Sequence, residues 1–184
     1  MELLKSEYNL NTTQLTDLLI LVMVVSGFSG FIYEELFYRI DLGYFVKRGS
    51  SFGPWVPIYA FGGLAYALLV YRFKDKPFLV FLLCVIVSGL LEYATGWFLY
   101  NICDTRLWDY NTEIWNFGNI GGYVCFRSVF VFGLAGLVLI YAVIPMLARF
   151  IKLFDPAFVN AVCLTLGAVF ALDCILYQIM KLRN

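Results

Sequence analysis

Five long apolar runs follow one another along this chain, and nothing constrains its fold more. They are 15–37, 55–73, 78–100, 126–150 and 157–180. A membrane crossing takes about 20 mostly apolar residues. The runs are continuous rather than alternating, so they predict helices and not the strands of a membrane barrel. Composition agrees. Hydrophobic residues make up 62% and charged residues 14%, against about 45–50% and about 25% in a soluble domain. Mean hydropathy is +0.82. So much apolar material cannot fit inside a soluble core of this size. The expected fold is an all-α integral membrane protein, a single domain of five transmembrane helices over 1–184, with two long loops on one face. The start, "MELLKSEYNLNTTQ", is polar and mixed in charge, with no A-x-A site after the first run. That run is expected to remain as a helix.

Several function classes drop out. Formal net charge is zero, so no basic field favours nucleic acid. Histidine is absent, which removes Ser-His-Asp and Cys-His catalysis and histidine metal sites. The five cysteines form no CxxC pair, so no metal or cofactor is expected. Cys84, Cys163 and Cys174 sit in apolar runs and read as small core residues. Cys103 and Cys125 are left open as a pair across a loop.

Helices one and three run the same way, so their C-terminal ends share a face. The long connections 38–54 and 101–125 lie there, with Glu34, Glu35, Arg48, Arg106, Asp109 and Arg127. Glu92, in "SGLLEYATG", sits about two turns inside the third helix. A carboxyl at that depth costs about 2.5–3.5 kcal/mol on insertion scales. It is read as a proton, ion or substrate site, or as a structural bond between helices. Arg48, Arg106 and Arg127 form a candidate cluster for phosphate or carboxylate, because a guanidinium binds either in bidentate fashion. Pairing with Glu34, Glu92 and Asp109 is the plainer alternative. Asp173, inside the fifth run, either pairs with one of these arginines or marks a second polar position. In "RLWDYN", Trp108 and Tyr110 read as interfacial anchors. The stretch "RGSSFGPWVPIYAFGG" (48–63) carries Pro57 where a helix would start, and there its missing N–H costs nothing. The expected result is a loop folded onto the bundle mouth, bringing Arg48 and Tyr59 towards Glu34, Glu92 and Arg127.

Basic residues number seven on the crowded face and six on the other, of 13 in all. If Arg48, Arg106 and Arg127 are engaged internally, the balance becomes four against six. The positive-inside rule then places the N-terminus in the cytoplasm.

Six segments carry a resemblance: "GFIYE" (30–34), "FVKRG" (45–49), "GPWVPIYAFG" (53–62), "LLEYATG" (90–96), "RLWDY" (106–110) and "NIGGYVCFR" (119–127). Together they resemble the ABC-transporter type IV, or ABC transporter permease, family of bacterial membrane proteins (CmpB-like). The family's recurring polar positions correspond to Glu34, Arg48, Tyr59, Glu92, Arg106, Asp109, Asn119 and Arg127. Phe31, Lys47, Ala60 and Ile144 depart from its usual residues without removing a charged one. The resemblance implies a transport-type component of the bacterial cytoplasmic membrane with a Glu/Arg-lined pocket. The chain has no GxxxxGK[ST] loop, so an ATPase would be a separate subunit. Homo-oligomerisation is an alternative partnership. A membrane enzyme or binder for a lipid or phosphate headgroup is the second reading. A structural or regulatory subunit is the third.

Overall fold

The computed structural model describes residues 1–46 and 49–183, with no strand among them. A short α1 (Glu2–Glu7) precedes α2 (Thr12–Leu42). Asn11 starts α2 with a reciprocal cap: its side chain accepts from Gln14 N at 2.8 Å, and Gln14 Oε1 accepts from Asn11 N at 3.0 Å. Gly43, at φ 81°, ends it. The capping box satisfies two otherwise orphaned N–H groups. Next come α3 (Pro57–Ala65), α4 (Pro77–Asn101), α5 (Phe126–Val138), α6 (Ile144–Ile151) and α7 (Pro156–Arg183). Pro57 and Pro77 sit in first turns, as helix geometry allows. Asp155 caps α7 by accepting from Phe158 N at 3.0 Å.

Among the described residues, four helices are long and apolar enough to cross a membrane: Thr12–Leu42, Pro77–Asn101, Phe126–Ile151 and Pro156–Lys181. The chain is a multi-pass membrane protein. The expected second crossing, 55–73, is a broken helix instead of a fifth uniform span. After α3 the backbone passes through a π turn, Tyr66–Val70, and a 3-10 turn, Tyr71–Phe73. A second π turn, Leu139–Val143, joins α5 to α6. Pro145 accounts for it. Proline has no N–H to offer the carbonyl one turn back, and its ring crowds that carbonyl.

The apolar core lies towards the N-terminal end of α2. Leu18, Val22, Val70, Val80, Cys84, Ile140, Ile144, Leu147 and Ile151 are buried together there. Polar bonds seal that end. Tyr71 donates to Tyr8 at 2.9 Å, Lys74 pairs with Glu7, and Lys152 donates to the Tyr8 carbonyl. The long loops occupy the opposite end.

The segment leading into α3 turns inward. Val56 N donates to the carbonyl of Gly27 at 3.0 Å, and Gly27 is in the middle of α2. Irregular backbone at this depth is tolerated only where its polar groups are satisfied inside the protein. Asp173 of α7 does this. Its carboxylate accepts from Phe52 N at 3.1 Å, Gly53 N at 3.0 Å and the Trp55 indole at 2.6 Å. Asp173 therefore marks a second polar position and bonds no arginine among the described residues. Trp55 also packs edge-on against Phe170 of α7. Nearer the other end of α7, Asn160 donates to the buried Asp17 of α2 at 2.8 Å. So α7 is held to the bundle by carboxyl bonds at two points, one near its start and one past its middle.

An Asp173→Ala substitution strands two backbone N–H groups and an indole. It should cost about 3 kcal/mol or more, whereas Asp173→Asn, which keeps one acceptor, should cost less. Thermal melting of the purified protein checks this. An unchanged midpoint for the alanine variant would show that the segment is held by something else.

Candidate functional site

A cavity of about 380 Å³ lies between α2, α3, α4 and α5, towards the lower end of the usual range for ligand sites. Close approach of α3 to α2 shapes one wall. A side chain at Gly30 would collide with the Tyr59 ring. Ser26 and Gly63 face each other one turn deeper. Tyr33, Tyr59 and Phe132 meet ring to ring, with centroids 5.2–6.4 Å apart.

The cavity has two ends of different character. Near the loops it is lined by Tyr38, Glu92, Trp108, Tyr110, Glu113, Arg127 and Ser128. Deeper it is lined by Val25, Ala135, Val138, Leu139 and Val143. Glu92 is 5% exposed. One carboxyl oxygen accepts from Tyr110, and the other lies 2.8 Å from Ser128 Oγ. Ser128 Oγ also reaches the Cys125 carbonyl at 2.9 Å, so one hydroxyl hydrogen stands between two acceptors. Burial holds the Tyr110 hydroxyl well above its usual pKa, and the Glu92 charge adds to this. Tyr110 therefore remains a donor.

Arg127 is bound on several sides. Its Nη2 pairs with Glu113 at 2.7 Å, and its guanidinium lies over Phe37 at 3.9 Å. Tyr38 donates to the second Glu113 oxygen. The N–H of Ile114 donates to Asp41 at 3.1 Å, which ties the same loop to the end of α2. Arg127 Nε is buried with no hydrogen-bond partner among the described residues. The hydroxyls of Tyr33 and Tyr59 line the same region, and no hydrogen bond joins either to another described residue.

Of the residues singled out in the sequence, Glu34, Tyr59, Glu92 and Arg127 line this cavity. Arg106, Asp109 and Asn119 do not. They fold the loop 102–125. Arg106 pairs with Asp109 at 3.0 Å, donates to the Gly121 carbonyl at 3.0 Å and lies over the Tyr100 ring. Asp109 accepts from the Asn111 side chain at 2.8 Å, and Asn119 donates to Asn111 at 2.7 Å. The knot closes on Gly122, at φ +80°, where a Cβ would strike Arg106, Asn111 and Asp109. Lys47 and Arg48 lie outside the described residues. Cys103 is exposed, Cys125 is buried, and both are free thiols.

Tyr110 is no interfacial anchor, because it is buried and bonded to Glu92. Trp108 lines the cavity and donates to the Tyr123 carbonyl at 2.9 Å. Tyr38 and Glu113 carry no sequence signal that separates them from other loop and helix-end polar residues. A weak one exists for Ser128, which follows Arg127 at the start of α5.

A family model described as "Putative ABC-transporter type IV" matches residues 21–177. The chain belongs to that family. The match takes in the cavity walls, both long loops and most of α7. No curated protein and no solved structure shows significant similarity to the chain. Family membership supports a transporter-like membrane protein, and the chemistry of the cavity has to be read from its own residues.

Glu92→Gln keeps every bond of the buried set: the amide oxygen accepts from Tyr110, and the amide N–H donates to Ser128, which donates to Cys125. Its stability should stay within about 1 kcal/mol of the parent. Glu92→Leu leaves the Tyr110 hydroxyl unbonded and should lose about 1–3 kcal/mol. Equal melting of the two variants would show that Glu92 does not hold Tyr110.

Proposed function

We propose that this chain is a transport-type component of the bacterial cytoplasmic membrane, with the cavity between α2, α3, α4 and α5 as its ligand site. Glu34, Tyr59, Glu92 and Arg127 form the polar end. The observation that carries this reading is Glu92, a buried carboxyl at membrane depth that lines an open cavity. Intramembrane acids are costly and commonly mark substrate or ion paths. Arg106, Asp109 and Asn119 belong to the proposed site indirectly, by shaping the loop that delivers Tyr110 and Glu113. Segment 57–73 is proposed as the fifth crossing, which puts the two chain ends on opposite faces. A cytoplasmic N-terminus, with the loop-bearing face outside, is part of the proposal and rests on the basic-residue count in the sequence. ATP hydrolysis would come from a separate subunit.

A second reading, a binder for a membrane amphiphile, is favoured by the closed floor. Below the cavity, Val22, Ile140 and Ile144 are packed in the core with at most 2% exposure. No path to the far face is open in this conformation. A purely structural subunit is disfavoured by the cavity itself, because pinned helices alone would fill it.

Three single cysteines separate these readings, introduced at Ser29, Asp75 and Thr112 in a background lacking the five native ones. A membrane-impermeant maleimide is applied to energised cells and to inverted vesicles. Position 112 should label from outside and position 75 only in inverted vesicles. Position 29, in the cavity wall, should label from both sides if the cavity alternates. Labelling of 29 from one side alone would count against transport. Preferential outside labelling of 75 would overturn the orientation.

A further inference from the structure

We infer that the cavity takes a neutral amphiphile with hydroxyl or carbonyl oxygens in its head, drawn sideways from the bilayer. The inference rests on the reading of the cavity as a ligand site and goes on to name what occupies it.

Three observations carry the head group. The Arg127 side chain is 10% exposed, yet its Nε has no acceptor among the described residues. A buried unbonded N–H costs free energy that a ligand oxygen would recover. The hydroxyls of Tyr33 and Tyr59 line the same cavity without hydrogen-bond partners among the described residues and can donate or accept. The charge of Arg127 is already matched by Glu113 at 2.7 Å, and the Glu92 carboxyl lines the same end. A phosphate placed here would meet three carboxyl groups, of Glu34, Glu92 and Glu113, and a guanidinium that is already paired. An uncharged oxygen needs only the free N–H and the hydroxyls. This argues against the arginine cluster as a phosphate clamp. Arg106 is engaged in the loop knot, away from the cavity lining.

Two observations carry the apolar chain and its way in. From Arg127 the cavity runs down a wall of Val25, Ala135, Val138 and Leu139. Its floor is shut by buried core residues, so a chain lying here cannot reach the far face. Along this stretch the lining is open at its edges: Ser29 on α2 and Ala135 on α5 are exposed, and Val138 is 58% exposed. At the polar end α2 and α5 meet through Tyr33 against Phe132 and Arg127 over Phe37. Below those contacts the cleft between the two helices faces the region where lipid chains lie. Water-soluble ligands have no use for such a mouth. A lipid-soluble one can slide in chain-first at helix depth and raise its head to Arg127.

The test measures saturable binding to the purified full chain of three probes that separate head from chain. They are radiolabelled monooleoylglycerol, lysophosphatidic acid with the same oleoyl chain, and monoacetin, which has the neutral head with almost no chain. Monooleoylglycerol should bind best. Monoacetin should bind at least about a hundredfold more weakly, since each buried methylene contributes. Lysophosphatidic acid should bind at least about tenfold more weakly, because its charge is unmatched. Val138→Trp, at an exposed position in the mouth, should weaken monooleoylglycerol about tenfold with the melting midpoint unchanged. Arg127→Lys, which keeps a cation for Glu113 but removes Nε, should also weaken it about tenfold. Tighter binding of lysophosphatidic acid would overturn the neutral head. Monoacetin binding as tightly as monooleoylglycerol would overturn the chain site while leaving the cavity a ligand site. No saturable binding of any probe would overturn both.

Discussion

A polar atom below the membrane surface must find its partner inside the protein, and carboxyl groups on the helices are where this chain meets that demand. Glu92 on α4 binds Tyr110 and so draws the loop 102–125 into the bundle. Asp173 on α7 binds three N–H groups and so draws the segment 51–56 down beside α2 and α7. Asp17 on α2 binds Asn160 and holds α7 in place. Each acid sits on a regular helix, and each partner comes from another element. The helices supply depth and the acids decide what is pulled to meet them. Without these bonds the two long loops would have little reason to fold inward, and the cavity would lose its roof.

The cavity's polarity follows from the same arrangement. Its polar end is where the recruited loop, the end of α2 and the start of α5 converge, so Tyr110, Glu113, Tyr38 and Arg127 meet within one network. Its apolar end is made by helix faces alone. Two π turns, at Tyr66–Val70 and Leu139–Val143, stand on either side of that deeper end, and Tyr66, Leu139 and Val143 line it. π turns often occur at functional sites, and Pro145 explains one of them. The result is a site with a polar head region and an apolar cleft, a shape suited to a molecule that is itself two-ended.

Much of this was legible in the sequence, in a graded way. Four of the crossings were plain because apolar length alone decides them. Pro57 marked the start of α3 because its missing N–H is harmless only in a first turn. Glu34, Glu92 and Arg127 were placed on one face by topology, since parallel helices share a face, and the Gly/Pro punctuation around Pro57 carried Tyr59 to them. The break in 57–73 was not legible, because a π turn leaves no compositional trace in "YALLV". Tyr110 was misjudged for a physical reason. An aromatic beside a membrane helix looks the same in sequence whether it faces headgroups or turns inward to a carboxyl. The role of Asp173 was hidden because its partners are mostly backbone N–H groups, which every residue but proline has. Glu113 pairs with Arg127 across a loop whose path is set by Arg106, Asp109, Asn119 and Gly122, and nothing short of the folded loop reveals it.

The account stands on the bond between Glu92 and Tyr110, and a double-mutant cycle measures it most directly. Stability is compared for the parent, Glu92→Leu, Tyr110→Phe and the double variant. Residues in one buried network should couple by about 0.5–3 kcal/mol, so the double variant should lose less than the sum of the singles. Strict additivity of the two losses would contradict the claim that a buried carboxyl holds the loop in place.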